Sequence, residues 1–172
     1  MPTDSRPTAE DLIRMHGLAP HPEGGHFRQT YKSPVIVPHA ALPAGYVGGR
    51  ACSTAIYYLL REGEKSCLHR LRSDEMWHFY LGGPLHLAMI FPNGGTEEVV
   101  IGPDAARGHH VQYVVEPGAW FGAYPAPGAE FCFVGCTVTP GFDFADFEIG
   151  ARAQLLQLFP GAKDVIERLG KG

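Results

Sequence analysis

One short stretch of the chain carries a histidine and a carboxylate at a spacing that suits acid/base or metal chemistry. His69 is followed six residues later by Glu75, and His78 stands three residues beyond that, between glycines at Gly63 and Gly82. Histidine and glutamate can act as general base and acid, and both are ligands of divalent Mn, Fe, Ni or Zn. The residues alone leave three alternatives: a proton-transferring pair, a metal site, or a well-packed hairpin.

The elements that must position these side chains are short strands separated by turns. Apolar runs rich in β-branched and aromatic residues alternate with glycine and proline at short intervals; they are TAIYYLL, MWHFYL, LHLAMIF, EEVVIG, VQYVVE, AWFGAY and FCFVGCTV. This pattern is typical of an all-β sandwich or barrel. We expect His69 to end one strand and Glu75 to begin the next, so that the turn between them brings both side chains into a small barrel.

Helices are predicted only at the two ends of the chain. Thr8 and Asp11 can form a capping box ahead of a helix that Gly17 terminates. Near the C terminus, good helix formers run from 151 to 159, and residues 162–169 predict a final short helix.

Length and composition predict one soluble domain over residues 1–172, with its β core at about 20–147. The net charge is −4 and no long Lys/Arg run occurs, so we expect no nucleic-acid partner. No apolar run approaches the roughly 20 residues that span a bilayer, and the polar start MPTDSRPTAEDL lacks an export signal. We therefore expect a cytoplasmic protein without a membrane partner.

The four cysteines are Cys52, Cys67, Cys132 and Cys136, and without an export signal we expect reduced thiols. Cys132 and Cys136 lie four residues apart on a predicted strand, roughly 13 Å at about 3.3 Å per residue. They are therefore not expected to ligate one metal ion together, and their predicted role is structural.

The spacing of the first stretch resembles the first motif of the cupin superfamily, G-x5-H-x-H-x3,4-E-x6-G. The two glycines, His69 and Glu75 stand at matching positions, but Leu71 replaces the second histidine. The histidine of the second cupin motif corresponds to Phe121. Two of the four usual ligands are thus apolar, and because a tight site needs three or four protein ligands, His69 and Glu75 are expected to bind a divalent ion weakly.

Three longer signatures resemble one branch of that superfamily, a domain of unknown function of cupin type five. They are HPEGG at 21–25, DE-x-WHFY at 74–80 and CTV-x-PGFDF at 136–144. The resemblance covers roughly 10–160. Within HPEGG, paired glycines predict a close backbone approach, and Glu23 could reach the mouth of a pocket.

The resemblance implies a cupin double-stranded β-helix, a jelly-roll barrel, with a short N-terminal helix and C-terminal helical segments. It implies kinship in fold with the sugar-nucleotide epimerases of rhamnose synthesis, but it does not imply a settled reaction. It also implies a homodimer. The strand-like run HFRQTYKSPVIV agrees with that expectation, since such a strand could pair with a partner's sheet and cover an edge.

Strand alternation sorts the remaining candidates. If Glu75 points into the barrel, Trp77 and Phe79 follow it, whereas His78 lies on the opposite face, against a second layer or a dimer partner. Gln112 is the polar residue of its predicted strand and faces either solvent or a ligand. The predicted ligand-binding residues are Thr54, Tyr58, Trp77, His78, Phe79, Gln112 and Phe121, beside His69 and Glu75 as catalytic residues or metal ligands.

Three functions remain open at this point. The first is an enzyme resembling a sugar or sugar-nucleotide isomerase or epimerase, in which His69 and Glu75 move protons next to a carbonyl group. The second is a protein that binds a small molecule in the same pocket without turnover. The third is a metal-dependent cupin enzyme, which would need further ligands from His78, Gln112 or Cys67.

Overall fold

The computed structural model describes residues 6–172 as two antiparallel sheets with helices at the chain ends. In chain order the strands are β1 (Ala19–Pro20), β2 (His26–Lys32), β3 (Ile36–Val37), β4 (Arg50–Ala51), β5 (Thr54–Arg61), β6 (Ser66–Arg70), β7 (Asp74–Gly82), β8 (Leu85–Ile90), β9 (Thr96–Ile101), β10 (Gln112–Val115), β11 (Trp120–Pro125), β12 (Phe131–Thr139) and β13 (Glu148–Ile149). The prediction of no export signal rests partly on residues 1–5, which lie outside the described residues.

The helices are α1 (Ala9–His16), α2 (Arg152–Leu158) and α3 (Lys163–Leu169), with 3-10 turns at His39–Ala41, Ala105–Arg107, Phe144–Asp146 and Pro160–Ala162. In α1, Thr8 and Asp11 form the predicted capping box, and Gly17 ends the helix in the left-handed conformation. Both C-terminal helices were also predicted to within a residue or two. Among the helices that the structure describes, none is long and apolar enough to cross a membrane.

The first sheet has the order β1-β2-β5-β12-β7-β10 and the second has the order β13-β6-β11-β8-β9, while β3 and β4 form a separate ribbon. Neighbours in each sheet come from distant parts of the chain, as in β12, which lies between β5 and β7. The prediction of an all-β jelly roll with short terminal helices is confirmed.

The core lies between the two sheets. Leu60, Trp77, Leu87, Phe121 and Val134 belong to one cluster of buried side chains contributed by five different strands. Strand alternation places every second residue of these strands inward, so apolar residues pack and their neighbours face outward.

A second buried cluster covers the outer face of the second sheet. There Leu68, Ala88 and Ile90 pack against Leu155 and Ile166 of the C-terminal helices. Strand β8 is therefore buried on both faces, which explains why its sequence is almost continuously apolar rather than alternating.

Candidate functional site

A cavity of about 100 Å³ lies inside the barrel and contains most of the buried charge-bearing side chains. Five titratable side chains line it: the two histidines His21 and His69, the two glutamates Glu23 and Glu75, and the thiol of Cys136. Its apolar walls include four phenylalanines, Phe27, Phe142, Phe144 and Phe147. Acid and base groups in such surroundings are shielded from water, so their protonation states depart from those in solution.

His69 is presented by strand β6 and is 2% exposed. Its Nδ1 atom lies 2.8 Å from the carbonyl oxygen of Cys67, and because a carbonyl can only accept, Nδ1 carries the proton. The other ring nitrogen, Nε2, is therefore the basic atom of the neutral ring. Burial lowers the pKa of His69 to about 4, so the ring is neutral at pH 7.

Glu23 faces that basic nitrogen. Its Oε2 lies 3.3 Å from Nε2 of His69, and its Oε1 accepts a hydrogen bond of 2.9 Å from the hydroxyl of Ser66. Burial raises the pKa of Glu23, and nearby His21 and the Ser66 hydroxyl oppose the rise. A protonated Glu23 can donate to Nε2, whereas an ionised Glu23 leaves Nε2 free to accept a proton. The pair can therefore bind and release one proton.

The HPEGG segment explains how Glu23 reaches this position. Gly24 and Gly25 have φ of 114° and 68°, in the left-handed region that favours glycine. A Cβ on Gly24 would lie 2.1 Å from the carbonyl oxygen of Lys65, so only glycine permits this close approach. The hydroxyl of Tyr58 donates to the carbonyl of Gly24 at 2.7 Å, and the amide of Cys67 donates to the carbonyl of Glu23 at 2.8 Å. The segment is thus fixed against β5 and β6.

His21 completes the group on the same side of the cavity. Its Nδ1 accepts a hydrogen bond of 3.2 Å from the backbone amide of Glu23 and lies 3.5 Å from Oε2 of the same residue. Burial lowers the pKa of His21, while the charge of Glu23 opposes that shift. Sequence reasoning did not select His21, although the HPEGG signature contains it and was the signal that could have identified it.

Glu75 is at the start of strand β7, 7% exposed. Burial raises its pKa to about 8, the negative charge of Glu23 adds to the rise, and the thiol of Cys136 opposes it. The alternative of a rim salt bridge to its arginine neighbours is not what the structure shows, because Arg70 pairs with Glu148 and the nearest carboxylate to Arg72 is that of Asp146. Glu75 is therefore largely a neutral acid at pH 7.

The cavity brings together three of the predicted site residues, Thr54, His69 and Glu75. Tyr58, Trp77 and Phe121 are in the core around it rather than on its lining. The ring of Phe121 lies 4.1 Å from that of His69, and Tyr58 supports the HPEGG backbone.

Trp77 is fully buried, in edge-to-face contact with both Tyr58 and Phe121. Its indole Nε1 has no hydrogen-bond partner within the described part of the chain. Phe79 packs against the core near a register shift between β7 and β12 and does not line the cavity.

His78 and Gln112 lie on the outer face of the first sheet, as strand alternation predicts for His78. Nδ1 of His78 accepts from the Gln112 side chain at 3.1 Å, which leaves Nε2–H to donate to the hydroxyl of Thr137 at 3.0 Å. The structure does not bring these two residues to the cavity that holds His69 and Glu75. Neither can therefore supply the missing metal ligands considered above.

The donor set of the cavity does not fit a tightly bound divalent metal. Leu71 and Phe121 occupy the two positions where the cupin motifs carry histidine, and both are buried apolar side chains. Within residues 6–172, no group of three or more His, Cys, Asp and Glu side chains is arranged to hold a metal ion.

Comparison with known proteins agrees with the architecture. A model of the family described as "Cupin superfamily (DUF985)" matches residues 10–150. A hypothetical protein from Leishmania major is 35% identical in sequence, with a TM-score of 0.88 over 96% of this chain and 99% of that one. The uncharacterized protein YML079W of Saccharomyces cerevisiae is 29% identical over 145 residues, 80% of this chain and 72% of the yeast protein.

Similarity in fold extends to proteins with low sequence identity. A cupin 2 domain-containing protein from Halorhodospira halophila has a TM-score of 0.54 at 14% identity, over 90% of this chain and 88% of its own. The two-sheet barrel is thus shared well beyond the proteins that are similar in sequence.

Proposed function

This chain belongs to the DUF985 family of the cupin superfamily, and we propose that it is an enzyme resembling an isomerase or epimerase that acts on a small polar molecule inside the barrel. One observation carries this proposal. A neutral acid, Glu75, and a proton-accepting pair, His69 with Glu23, line one cavity with apolar walls. General acid–base catalysis needs two such groups whose pKa values are displaced in a water-poor site.

The proposed chemistry is proton transfer next to a carbonyl group, as in a sugar or a sugar nucleotide. The C–H bond beside the carbonyl breaks, its proton moves to Nε2 of His69 beside an ionised Glu23, and its electron pair forms the C=C bond of an enol. Glu75 donates its proton to the carbonyl oxygen as that bond forms. For the isomer, His69 returns its proton to the former carbonyl carbon, and the hydroxyl on the carbon that lost the proton gives its own proton to Glu75 and becomes the new carbonyl. For the epimer, a proton from solvent reaches the opposite face of the same carbon, the enol oxygen gives its proton back to Glu75, and His69 releases its proton to solvent.

The surroundings support each role. Nδ1–H of His69 is held by the carbonyl of Cys67, so the tautomer that exposes Nε2 is fixed. Burial raises the pKa of Glu75 to about 8, so this side chain holds its proton at neutral pH and can donate it as an acid. The phenylalanine walls exclude water that would otherwise compete for the protons.

The direct test is hydrogen exchange at carbon. The protein would be incubated in D₂O with a panel of sugars, sugar phosphates and sugar nucleotides, and NMR would follow deuterium uptake beside the carbonyl group. We expect uptake with the wild-type protein and none with His69→Gln. Binding of a panel member without uptake would contradict the proposal and favour the alternative of a binding protein without turnover.

Metal-dependent chemistry is the competing mechanism, and His69 and Glu75 would be the ligands of a Mn, Fe, Ni or Zn ion. Because no three His, Cys, Asp or Glu side chains within residues 6–172 are arranged to hold a metal ion, no step above passes through a metal. Elemental analysis of protein purified without chelators or affinity-tag metals decides between the mechanisms. A near-stoichiometric metal that is lost in a His69→Ala/Glu75→Ala variant would overturn the acid/base mechanism.

A homodimer is proposed from an incompletely covered sheet edge. Strand β1 pairs only with His26 and Phe27 of β2, so the rest of β2 up to Lys32 has no neighbour on that side within the described residues. Tyr31 on this edge is 51% exposed. An unprotected edge strand can pair with a second copy. Sedimentation at micromolar concentration should show a dimer, and a monomer would refute this assembly.

A further inference from the structure

A polar groove of about 550 Å³ adjoins the acid/base cavity. Leu71 and Phe147 line both spaces, so each of these two side chains forms part of the boundary between them. The charged side chains of the groove are Arg70, Arg72, Asp146 and Glu148. A substrate too large for the cavity of about 100 Å³ would extend into this groove.

Three of the four charges in the groove are already balanced by close partners. Asp146 is buried and receives hydrogen bonds of 2.6 and 2.9 Å from Nε and Nη2 of Arg50. Arg70 contacts Glu148 through Nε and Nη2 at 2.8 and 2.7 Å, and its guanidinium group lies 4.6 Å above the ring of Trp120. These two ion pairs leave one positive charge, that of Arg72, in excess.

Arg72 offers its donors to the groove. Its nearest carboxylate oxygen, Oδ1 of Asp146, is 3.9 Å away and already accepts from Arg50, and the Arg72 side chain is 52% exposed. Within residues 6–172, its guanidinium group donates no hydrogen bond to another group of the protein. An arginine fork with free N–H groups is suited to bidentate contact with a planar carboxylate or a phosphate.

The surrounding loop is shaped to keep Arg72 in place. The hydroxyl of Tyr46 donates to the backbone carbonyl of Arg72 at 2.7 Å, which fixes the chain at this turn. Gly45 leaves room for the guanidinium group, since a Cβ there would lie 2.6 Å from Nη1 of Arg72.

We propose that the groove binds an anionic group of the substrate through Arg72, while the carbon that reacts lies in the adjoining cavity. The substrate class is therefore a small carbonyl compound that carries a phosphate or a carboxylate, which rests on the acid/base function proposed above for its reacting end. A sugar phosphate, a sugar nucleotide and a sugar acid share this chemistry.

The test is calorimetric titration of the full-length protein with inorganic phosphate, and separately with acetate, at constant ionic strength. We expect saturable binding that weakens at least tenfold in Arg72→Gln. The matched control is Arg107→Gln, which removes an arginine that is 81% exposed and lies outside the groove, and it should bind phosphate as the wild type does. Tighter binding of phosphate than of acetate identifies the phosphorylated substrates, and the reverse order identifies the carboxylates.

Three outcomes would overturn the proposal: no saturable binding of either anion by the wild type, equal affinity in Arg72→Gln, or an equal loss in Arg107→Gln. Arg72→Lys keeps the charge but not the fork, so it should retain part of the affinity, which a misfolded variant would not. His69→Gln separates this proposal from the acid/base function. The His69→Gln variant should bind phosphate as the wild type does but show no deuterium uptake in D₂O. If the wild type also shows no uptake, the acid/base function fails while the anion-binding proposal stands.

Discussion

Nε2 of His69 lies 3.3 Å from Oε2 of Glu23, although the two residues come from different elements of the barrel. The tautomer of His69 is set by the carbonyl of Cys67, so Nε2 is the atom at which a proton can be gained or lost. Glu23 shares that proton because burial disfavours its ionised form. The proposed base is therefore a pair of side chains rather than a single histidine.

Replacing His69 by glutamine should abolish most of the activity while keeping the size of the side chain. Because a positioned acid or base contributes roughly 10²–10⁴-fold, turnover in the D₂O exchange assay should fall by about that factor. The matched control is His78→Gln, since His78 is also a histidine of the barrel strands but faces outward to Thr137 and Gln112. Full activity in His69→Gln, or an equal loss in His78→Gln, would contradict the assignment.

Glu23→Gln tests the role of the partner. The amide keeps a hydrogen-bond donor toward Nε2 of His69 but cannot release a proton, so Nε2 remains occupied. We expect kcat in the exchange assay to fall at least tenfold with little change in KM, since acid/base efficiency depends on the proton rather than on substrate contacts. A Ser66→Ala variant, which removes the hydrogen bond to Oε1 only, should lose less. A change confined to KM would show that Glu23 binds substrate instead.

Most of the fold was predictable because its determinants are local. The capping box at Thr8 and the strand runs each depend on residues close together in sequence. Alternation along β7 also placed His78 correctly on the face opposite Glu75. These predictions needed only the two-residue alternation of side chains along a strand and the capping residues of a helix.

The site was predictable only in part, because its other half comes from a distant segment. The motif spacing selected His69 and Glu75, and the paired glycines of HPEGG indicated that Glu23 could reach the mouth of a pocket. Nothing in a strand period, however, indicates that this turn folds over His69 and brings in His21 as well. That contact depends on the pairing of β2 with β5 and on the approach of Gly24 to the carbonyl of Lys65. The register between segments that are distant in the chain cannot be inferred from a local sequence pattern.

Stability should depend on pH through Glu75. Its folded pKa of about 8 lies above its ordinary value of 4.5, so the folded state holds this proton more tightly and loses stability as pH rises from 4.5 to 8. His69, with a folded pKa of about 4 against 6.5, has the opposite effect and adds stability as pH rises between those values. Of these two contributions, only that of Glu75 is still changing above pH 6.5.

The measurable consequence lies between pH 6.5 and 8. Over this interval the Glu75 contribution should lower the free energy of unfolding by on the order of 2 kcal/mol, and Glu75→Gln should remove that decline. Denaturant unfolding at the two pH values, for the wild type and the variant, measures the difference. Parallel declines in both proteins would show that Glu75 is not a neutral acid in the folded state.

A metal site should be obtainable by restoring the histidine that the cupin motif carries. Phe121 is buried with its ring 4.1 Å from that of His69, so Phe121→His adds a third donor beside His69 and Glu75. Three protein ligands suffice for an open Zn²⁺ site, and we expect the variant to bind Zn²⁺ at least tenfold more tightly than the wild type, by titration against a chromogenic chelator. The substitution should also lower stability by about 2–4 kcal/mol because a buried phenyl ring is lost.

The matched control for that variant is Phe131→His, which places a histidine at another buried phenylalanine that does not line the cavity. It should lose similar stability without gaining Zn²⁺ affinity. If both variants bind Zn²⁺ equally, the gain comes from an added histidine anywhere in the barrel. If neither variant binds Zn²⁺, His69 and Glu75 are not arranged as cupin metal ligands. The phenylalanine at position 121 is then a core residue, and it is not the reason why this barrel has no metal site.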